Sequence, residues 1–308
     1  MNRNDLGPPR GRRVAASLVG AGLLLAAAIA IWMQRDALVE SWVRIEDPPV
    51  WAILVLPLST IGSLAIGTIL LRSLLRDIPD LDQRDLAALV ASSTLFNLLP
   101  LKVGLVGRAA WQRRHQQVPI GRSVLVAVQM AGLTAAAIVL AVAAIVLAGP
   151  SGIPLPAIWA SLAAGLLGLG LLPHRGVGRG ETLARFGALL GWRVVDVAIW
   201  SVRFVAGFAV IGIAIDPGAA LALACVAAAT GLVPVVGTTL GVREWVVALV
   251  APMLAGIAWD QALAAELLAR GAEVATVAVV GSVATWWLWR RSFVRSERPG
   301  NGRVPSAS

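Results

Sequence analysis

The chain has 308 residues, of which 58% are hydrophobic and only 14% carry a charge, and its mean hydropathy is +0.80. A water-exposed surface needs far more charge than this, so the composition excludes a soluble enzyme, a secreted disulfide scaffold and a free nucleic-acid-binding protein. The formal net charge is +9. In a membrane protein such an excess marks cytoplasmic loops rather than a nucleic-acid footprint. The composition therefore predicts an all-α, polytopic helical membrane protein.

Stretches long enough to cross a bilayer recur along the chain. A hydrocarbon core about 30 Å thick needs about 20 apolar residues, and four stretches of that length carry no charge. Two more are apolar apart from three charged residues each. Residues 14–33 follow a run of arginines, as a secretory signal does, but twenty uncharged residues exceed the usual signal core and predict an anchor. The uncharged stretches are 14–33, 50–71, 123–149 and 153–173, and the other two are 186–215 and 261–289.

The loop charges predict the orientation of these spans. Residues 1–13 contain four arginines, the loops 102–122 and 174–185 are basic, and the tail 290–308 contains five arginines. All four fall on one side if both termini are cytoplasmic. The sequence thus predicts a basic cytoplasmic segment over 1–13, a transmembrane domain over 14–289 and a disordered basic tail over 290–308, in a bacterial inner membrane.

Residues 86–101 are apolar but too short to cross. They end at Pro100, and Lys102 and Arg108 follow. One interpretation is a re-entrant hairpin that breaks at Pro100 and returns through Gly104 and Gly107, since broken backbone at membrane depth survives only beside protein or a cavity. The other is an amphipathic helix on the cytoplasmic surface.

A second segment repeats the pattern 134 residues later. Pro234 and Gly241 are seven residues apart, as are Pro100 and Gly107. Such a match between two interrupted segments is typical of transporters built from inverted repeats, here with units 86–149 and 217–289. If 217–259 is a hairpin the chain has six spans, and if its halves cross separately it has eight.

Charged residues within the last two spans lie on single helical faces. Arg193, Asp196 and Arg203 share one face of the span 186–215, and Arg193 can neutralise Asp196. The acids Glu266 and Glu273 flank Arg270 on one face of the last span. Two interpretations remain open: a transport role, or structural ion pairs that hold helices together.

Arg108, Arg243 and Glu244 lie beside the predicted breaks instead. A half-helix that begins near Gly241 would point free backbone N–H groups into the protein. A neighbouring guanidinium can bind two phosphate oxygens, so we expect an anionic ligand. A pairing of Glu244 with Arg243 would weaken that expectation.

At these two segments the chain resembles the lysylphosphatidylglycerol synthase transmembrane region, also called the flippase-like family. The resemblance covers nearly the whole chain. It is carried by Leu99-Pro100-x-Lys102-x-Gly104-x-x-x-Arg108-Ala109, by Pro234 through Leu240-Gly241-Val242-Arg243-Glu244, and by Gln261-Ala262-Leu263 to Leu267-Leu268-x-Arg270. It implies a lipid flippase or a lipid-carrier accessory protein. Where the family usually has an acid after the first motif's glycine this chain has Leu105, and Gln129-Met130-x-x-Leu133 replaces a Glu-Arg-x-x-Asp, which makes coupling and substrate identity the open points.

The sequence thus predicts a flippase-like transporter that moves an anionic phospholipid or polyprenyl-phosphate lipid between leaflets. The alternative is a scaffold or accessory subunit for an envelope-lipid or glycosyl-transferring enzyme. No nucleotide loop, metal cluster or nucleophile constellation is visible, so we predict no cofactor, no catalysis and no nucleic-acid partner, and the oligomeric state stays open. The predicted substrate-binding residues are Lys102, Arg108, Arg203, Arg243, Glu244 and Arg270, and the predicted hinges are Pro100, Gly104, Gly107, Pro234 and Gly241.

Overall fold

The described part of the chain is entirely helical. A computed structural model describes residues 47–78, 81–98, 103–151, 154–169, 179–232 and 242–296, and within these ranges the predicted all-α fold is confirmed. The helices are α1 (Val50–Leu74), α2 (Gln83–Phe96), α3 (Val103–Gln116), α4 (Ile120–Ser151), α5 (Leu155–Leu169), α6 (Arg179–Val210), α7 (Pro217–Leu232), α8 (Val242–Ala255) and α9 (Trp259–Ser296).

Three of these helices, α1, α4 and α9, are long and apolar enough to cross a membrane. They contain the predicted spans 50–71, 123–149 and 261–289. Large apolar side chains point away from the packed core on all three, among them Leu58, Val139 and Val279. Exposed apolar surface of this extent is typical of a protein that lies in lipid, and together with the three apolar helices it indicates a membrane protein.

Helix α6 contains residues 186–210 of the predicted span 186–215; it begins seven residues before that span, at Arg179, and ends at Val210. The end has a local cause, because Gly212 adopts a positive φ of 77° and so turns the chain out of the helix. Helix α5 has 15 residues within the predicted span 153–173, so a full crossing there stays a prediction. The predicted span 14–33 lies outside the described residues.

Each of the two interrupted segments contains a pair of short helices. Helices α2, α3 and α8 have 14 residues each and α7 has 16, which makes them about 21 to 24 Å long. Two of them begin at acidic N-caps: Asp82 accepts a hydrogen bond from the Arg84 N–H, and Asp216 accepts from Gly218 and Ala219. The predicted breaks at Pro100 and Pro234 lie outside the described residues.

Helices α2 and α3 meet with almost no gap between their backbones. A Cβ added at Gly104 would overlap the Ser93 carbonyl oxygen and lie 2.7 Å from Asn97 Oδ1. Asn97 Oδ1 also accepts a hydrogen bond of 3.1 Å from the Leu105 N–H, which is one of the donors that a helix start leaves unsatisfied. Gly104 is therefore a close-packing position, whereas Gly107, also within α3, faces open space.

Helices α1–α4 and α6–α9 contact one another in matching patterns. Helix α2 packs on α9 as α7 packs on α4, and α1 packs on α9 as α6 packs on α4. The neighbours α1–α2, α2–α3 and α3–α4 have their counterparts in α6–α7, α7–α8 and α8–α9, while α1 packs directly on α6. Helix α5 lies outside this pattern, against α4, α6 and α7.

The contact between α2 and α9 is fixed at both ends. Gly281 allows α9 to approach α2, since an added Cβ would lie 2.7 Å from Leu95 Cβ. At the other end the Arg291 guanidinium donates to Asp82 at 2.6 Å and to Asp85 at 2.7 Å. Hydrogen bonding from Arg291 holds the pKa of the Asp82 carboxyl below its ordinary value of 3.8.

We predict that Gly104→Ala lowers the free energy of unfolding by about 1–3 kcal/mol, because the methyl group forces α2 and α3 apart. Gly107→Ala is the matched control in the same helix. It should leave stability unchanged or raise it by up to about 1 kcal/mol, since alanine favours a helix. Thermal unfolding of the detergent-solubilised protein measures both, and equal midpoints for the two variants would contradict the close contact.

The Asp82–Arg291 pair should contribute to stability in a pH-dependent way. Because the folded pKa of Asp82 is lowered, its contribution is complete above pH 3.8 and is lost as the pH falls through the folded pKa. We predict that Asp82→Asn, which keeps the cap acceptor, lowers stability at pH 7 by up to about 1 kcal/mol, since solvent screens a half-exposed pair. The difference in stability between Asp82→Asn and wild type should narrow below pH 3.8. Asp47→Asn is the control and should leave stability unchanged.

Candidate functional site

A cavity of about 400 Å³ lies between the two pairs of short helices and is lined by residues of both. Residues from α2 and α3 form one wall, and α7 with Arg243 of α8 forms the facing wall. Helices α4, α6 and α9 close the sides. We call this space the central cavity. Its polar lining consists of Thr94, Asn97, Arg108, Thr134, Arg193, Asp196, Trp200, Arg243, Arg270 and Glu273.

Arg108 lines the central cavity from α3, one turn beyond Gly104. The close contact between α2 and α3 positions it there. Within the residues that the structure describes, no carboxylate lies within ion-pair distance of its guanidinium, and it makes no hydrogen bond. A half-buried cation without a counter-ion attracts an anion strongly.

Arg243 is matched by acids from α9. Its Nε donates to Glu266 at 2.7 Å, and its Nη1 lies 3.2 Å from Glu273. Both Arg243 and Glu266 are almost fully buried, so water screens this attraction little. The pairing ties the start of α8 to α9.

Glu273 is the centre of the group, because it contacts three arginines. Besides Arg243, it accepts from Arg203 at 2.9 Å and from Arg270 at 2.8 Å. Arg270 Nε lies 3.3 Å from the Glu244 carboxylate. Arg203, Arg243, Arg270, Glu244, Glu266 and Glu273 thus form one buried network of three arginines and three glutamates, which we call the ion network.

Trp200 lies against two cations of this network. The guanidinium carbons of Arg203 and Arg243 are each 5.3 Å from the centre of its ring, a distance at which the π face attracts a cation. Arg203 also donates to Ser59 Oγ of α1 at 3.1 Å. The ion network therefore connects α1, α6, α8 and α9.

A smaller charged group lies on the wall formed by α4 and α6. Arg193 forms an ion pair with Asp196, as the spacing of three residues on one helix predicts, and its Nε donates to Thr134 Oγ1 at 3.0 Å. This pair is neutral, as is the ion network. Around the central cavity, the described residues therefore include five arginines and four acids, and the excess positive charge resides on Arg108.

The predicted site residues thus fall into three groups. Arg108, Arg243 and Arg270 line the central cavity, and Arg203 and Glu244 join them through the ion network. Lys102, Pro100, Pro234 and Gly241 lie outside the described residues. Arg203 pairs with Glu273, and Glu244 pairs with Arg270. The sequence pattern alone did not identify Asn97, Thr134 or Ser59. Thr134 and Ser59 meet their partners through packing of distant segments, and Asn97 meets Leu105 across the junction of α2 and α3.

Comparison with known proteins gives no relative: no protein-family model, no curated protein and no solved structure matches the chain. Among the residues that the structure describes, no group of three or more His, Cys, Asp and Glu side chains is arranged to hold a metal ion. The described lining of the central cavity consists of arginines, two carboxylates, hydroxyl and amide groups and apolar side chains.

Removal of the Glu273 charge should be strongly destabilising. Glu273→Gln leaves three buried arginines with two acids, and loss of one partner from a buried pair costs about 3–5 kcal/mol. Asp77→Asn is the control, because Asp77 also pairs with arginine but its side chain is 60% exposed, where the cost is at most about 1 kcal/mol. Thermal unfolding in detergent measures both, and equal losses would show that the ion network adds no stability.

Proposed function

We propose that the chain is a flippase-like transporter that moves an anionic phospholipid or polyprenyl-phosphate lipid between the leaflets of a bacterial inner membrane. One observation carries this proposal: Arg108 lies in a cavity between two pairs of interrupted helices with no acidic partner in the described residues. A phosphate group that enters the cavity supplies the missing negative charge. The resemblance to the lysylphosphatidylglycerol synthase transmembrane region supports the same class of protein.

The lengths of the short helices support a re-entrant arrangement. Over the described residues, α2, α3, α7 and α8 are each about 21 to 24 Å long, which is less than a core of about 30 Å. In this proposal α2–α3 and α7–α8 are hairpins that enter from opposite faces, and the chain crosses six times. Helix ends at membrane depth need protein or a water-filled cavity around them, and the central cavity meets that need.

The matching contacts of α1–α4 and α6–α9 support an inverted repeat. In the proposed topology α1 and α6 run in opposite directions across the bilayer, as do α4 and α9. Exchange of the two halves then converts a cavity open to one leaflet into a cavity open to the other. Both termini are cytoplasmic in this arrangement.

The difference between the two halves supports an anionic substrate. In the second half α9 supplies Glu266 and Glu273 to Arg243. The corresponding helix of the first half, α4, contains no Asp or Glu, so it offers no carboxylate to Arg108. In this proposal the lipid phosphate binds Arg108 as Glu266 binds Arg243, and the acyl chains stay in the bilayer.

The test is a liposome assay that follows a fluorescent anionic lipid between leaflets. We predict that wild-type protein accelerates its exchange, and that Arg108→Ala lowers the rate at least about tenfold, since a hydrogen bond to a charged group contributes about 1.5–3 kcal/mol. Arg113→Ala is the matched control, because Arg113 is exposed near the end of the same helix.

Arg108→Ala tests lipid binding specifically, because Arg108 takes part in no ion pair among the described residues. Its removal therefore leaves no described acid without a partner. Arg243→Ala should also slow exchange, but it breaks the ion network and lowers stability as well. Wild-type rates no faster than those of empty liposomes, for every anionic lipid tried, would overturn the proposal. That result would favour a scaffold for an envelope-lipid enzyme instead.

A further inference from the structure

A second cavity lies on the outer side of α4 and α6, away from the central cavity. Its volume is about 460 Å³. We call it the lateral groove. On these two helices Met130, Thr134 and Arg193 line the central cavity, whereas different residues line the groove. They are Leu74, Asp77, Arg122, Gln129, Gly132, Leu133, Arg185, Phe186 and Leu189.

Two arginines and one acid form the mouth of the lateral groove. Arg122 lies 2.6 Å from the Asp77 carboxylate, and Arg185 lies 3.7 Å from it. Both arginines also donate to carbonyl groups in the last turn of α1, at Ser73 and Leu74, where the helix dipole favours cations. The mouth therefore has one positive charge more than negative.

Both guanidinium groups keep donors for a further ligand. Within the described residues the Nε and Nη1 atoms of Arg122 and the Nε atom of Arg185 have no hydrogen-bond acceptor, and the two side chains are 29% and 30% exposed. The N–H groups of two neighbouring guanidiniums can donate charge-assisted hydrogen bonds to the oxygens of one phosphate group. The mouth lies where α1 ends and α4 begins, the level at which a span meets the lipid headgroups.

The groove becomes apolar with depth, but one polar side chain interrupts it. Gln129 is exposed on α4, seven residues and thus about 10 Å beyond Arg122. An amide at the edge of hydrocarbon needs hydrogen-bond partners, and the ester carbonyls of a glycerolipid lie between phosphate and acyl chain. Gly132 leaves space beside it, since a Cβ there would meet nothing within 4 Å. Leu133, Phe186 and Leu189 form the apolar part.

We propose that the lateral groove binds one anionic glycerophospholipid of the surrounding leaflet, with its phosphate on Arg122 and Arg185, its ester region on Gln129 and an acyl chain in the space beside Gly132. The chemical groups along the groove match those along the lipid: the arginines meet the phosphate, the amide meets the ester region and the apolar side chains meet the acyl chain. This lipid is a bound structural partner, and its site does not depend on transport through the central cavity.

Native mass spectrometry of the full chain in detergent tests this proposal, with phosphatidylglycerol and phosphatidylcholine of identical acyl chains as probes. We expect the wild type to bind its first phosphatidylglycerol about tenfold more tightly than phosphatidylcholine, because each arginine near an anionic headgroup contributes about 1 kcal/mol. In an Arg108→Ala background, which removes the proposed anion site of the central cavity, the double variant Arg122→Ala/Arg185→Ala should bind both lipids equally. Arg113→Ala/Arg114→Ala, which removes two exposed arginines of α3, should retain the preference.

Gly132→Leu keeps the proposal testable if the double arginine variant unfolds. It fills the groove without altering any charge, and it should lower the affinity for phosphatidylglycerol as the arginine variant does. Arg108→Ala should leave this binding unchanged, which separates the lateral groove from the central cavity. Wild-type affinity in Gly132→Leu, or no preference for phosphatidylglycerol in the wild type, would overturn the proposal.

Discussion

Buried charge determines how the second half of this protein is assembled. Three arginines and three glutamates lie together where water is largely excluded, and each is held in place by an oppositely charged neighbour. Because an unpaired charge in such surroundings is far less stable than a paired one, α6, α8 and α9 have little freedom to separate. Trp200 and Ser59 extend the same constraint to α6 and α1. The ion network therefore holds α6, α8 and α9 together beside the central cavity.

The first half has the same helix contacts without the same charges. Helix α4 contributes Met130, Ala131 and Thr134 to the cavity, whereas α9 contributes Arg270 and Glu273. The two halves share a pattern of helix contacts but differ in their charges, and this difference distinguishes Arg108 from the other arginines around the central cavity. A charged residue that no acid among the described residues neutralises is a functional candidate by default in a membrane protein, and the proposed function depends on this contrast.

The long helices α1, α4 and α9 were predictable because a long apolar stretch is a local property of the sequence. So was the pair of Arg193 and Asp196, three residues apart on one helix. The rest of the site required tertiary structure. Arg203 and Glu273 are 70 residues apart, and Arg203 and Ser59 are 144 apart. Helical spacing shows which side chains share a face, but it does not show which helix that face meets.

The junction of α2 and α3 has a mechanical consequence. Backbone contact at Gly104 and the hydrogen bond from Leu105 to Asn97 hold these two helices together, so we expect them to move as one unit. Helix α2 of this unit contacts α9 at Leu95 and Gly281, and helix α3 contains Arg108. If α9 tilts, we expect the Arg108 guanidinium to be displaced together with α2 and α3, without a change in the torsion angles of its own side chain.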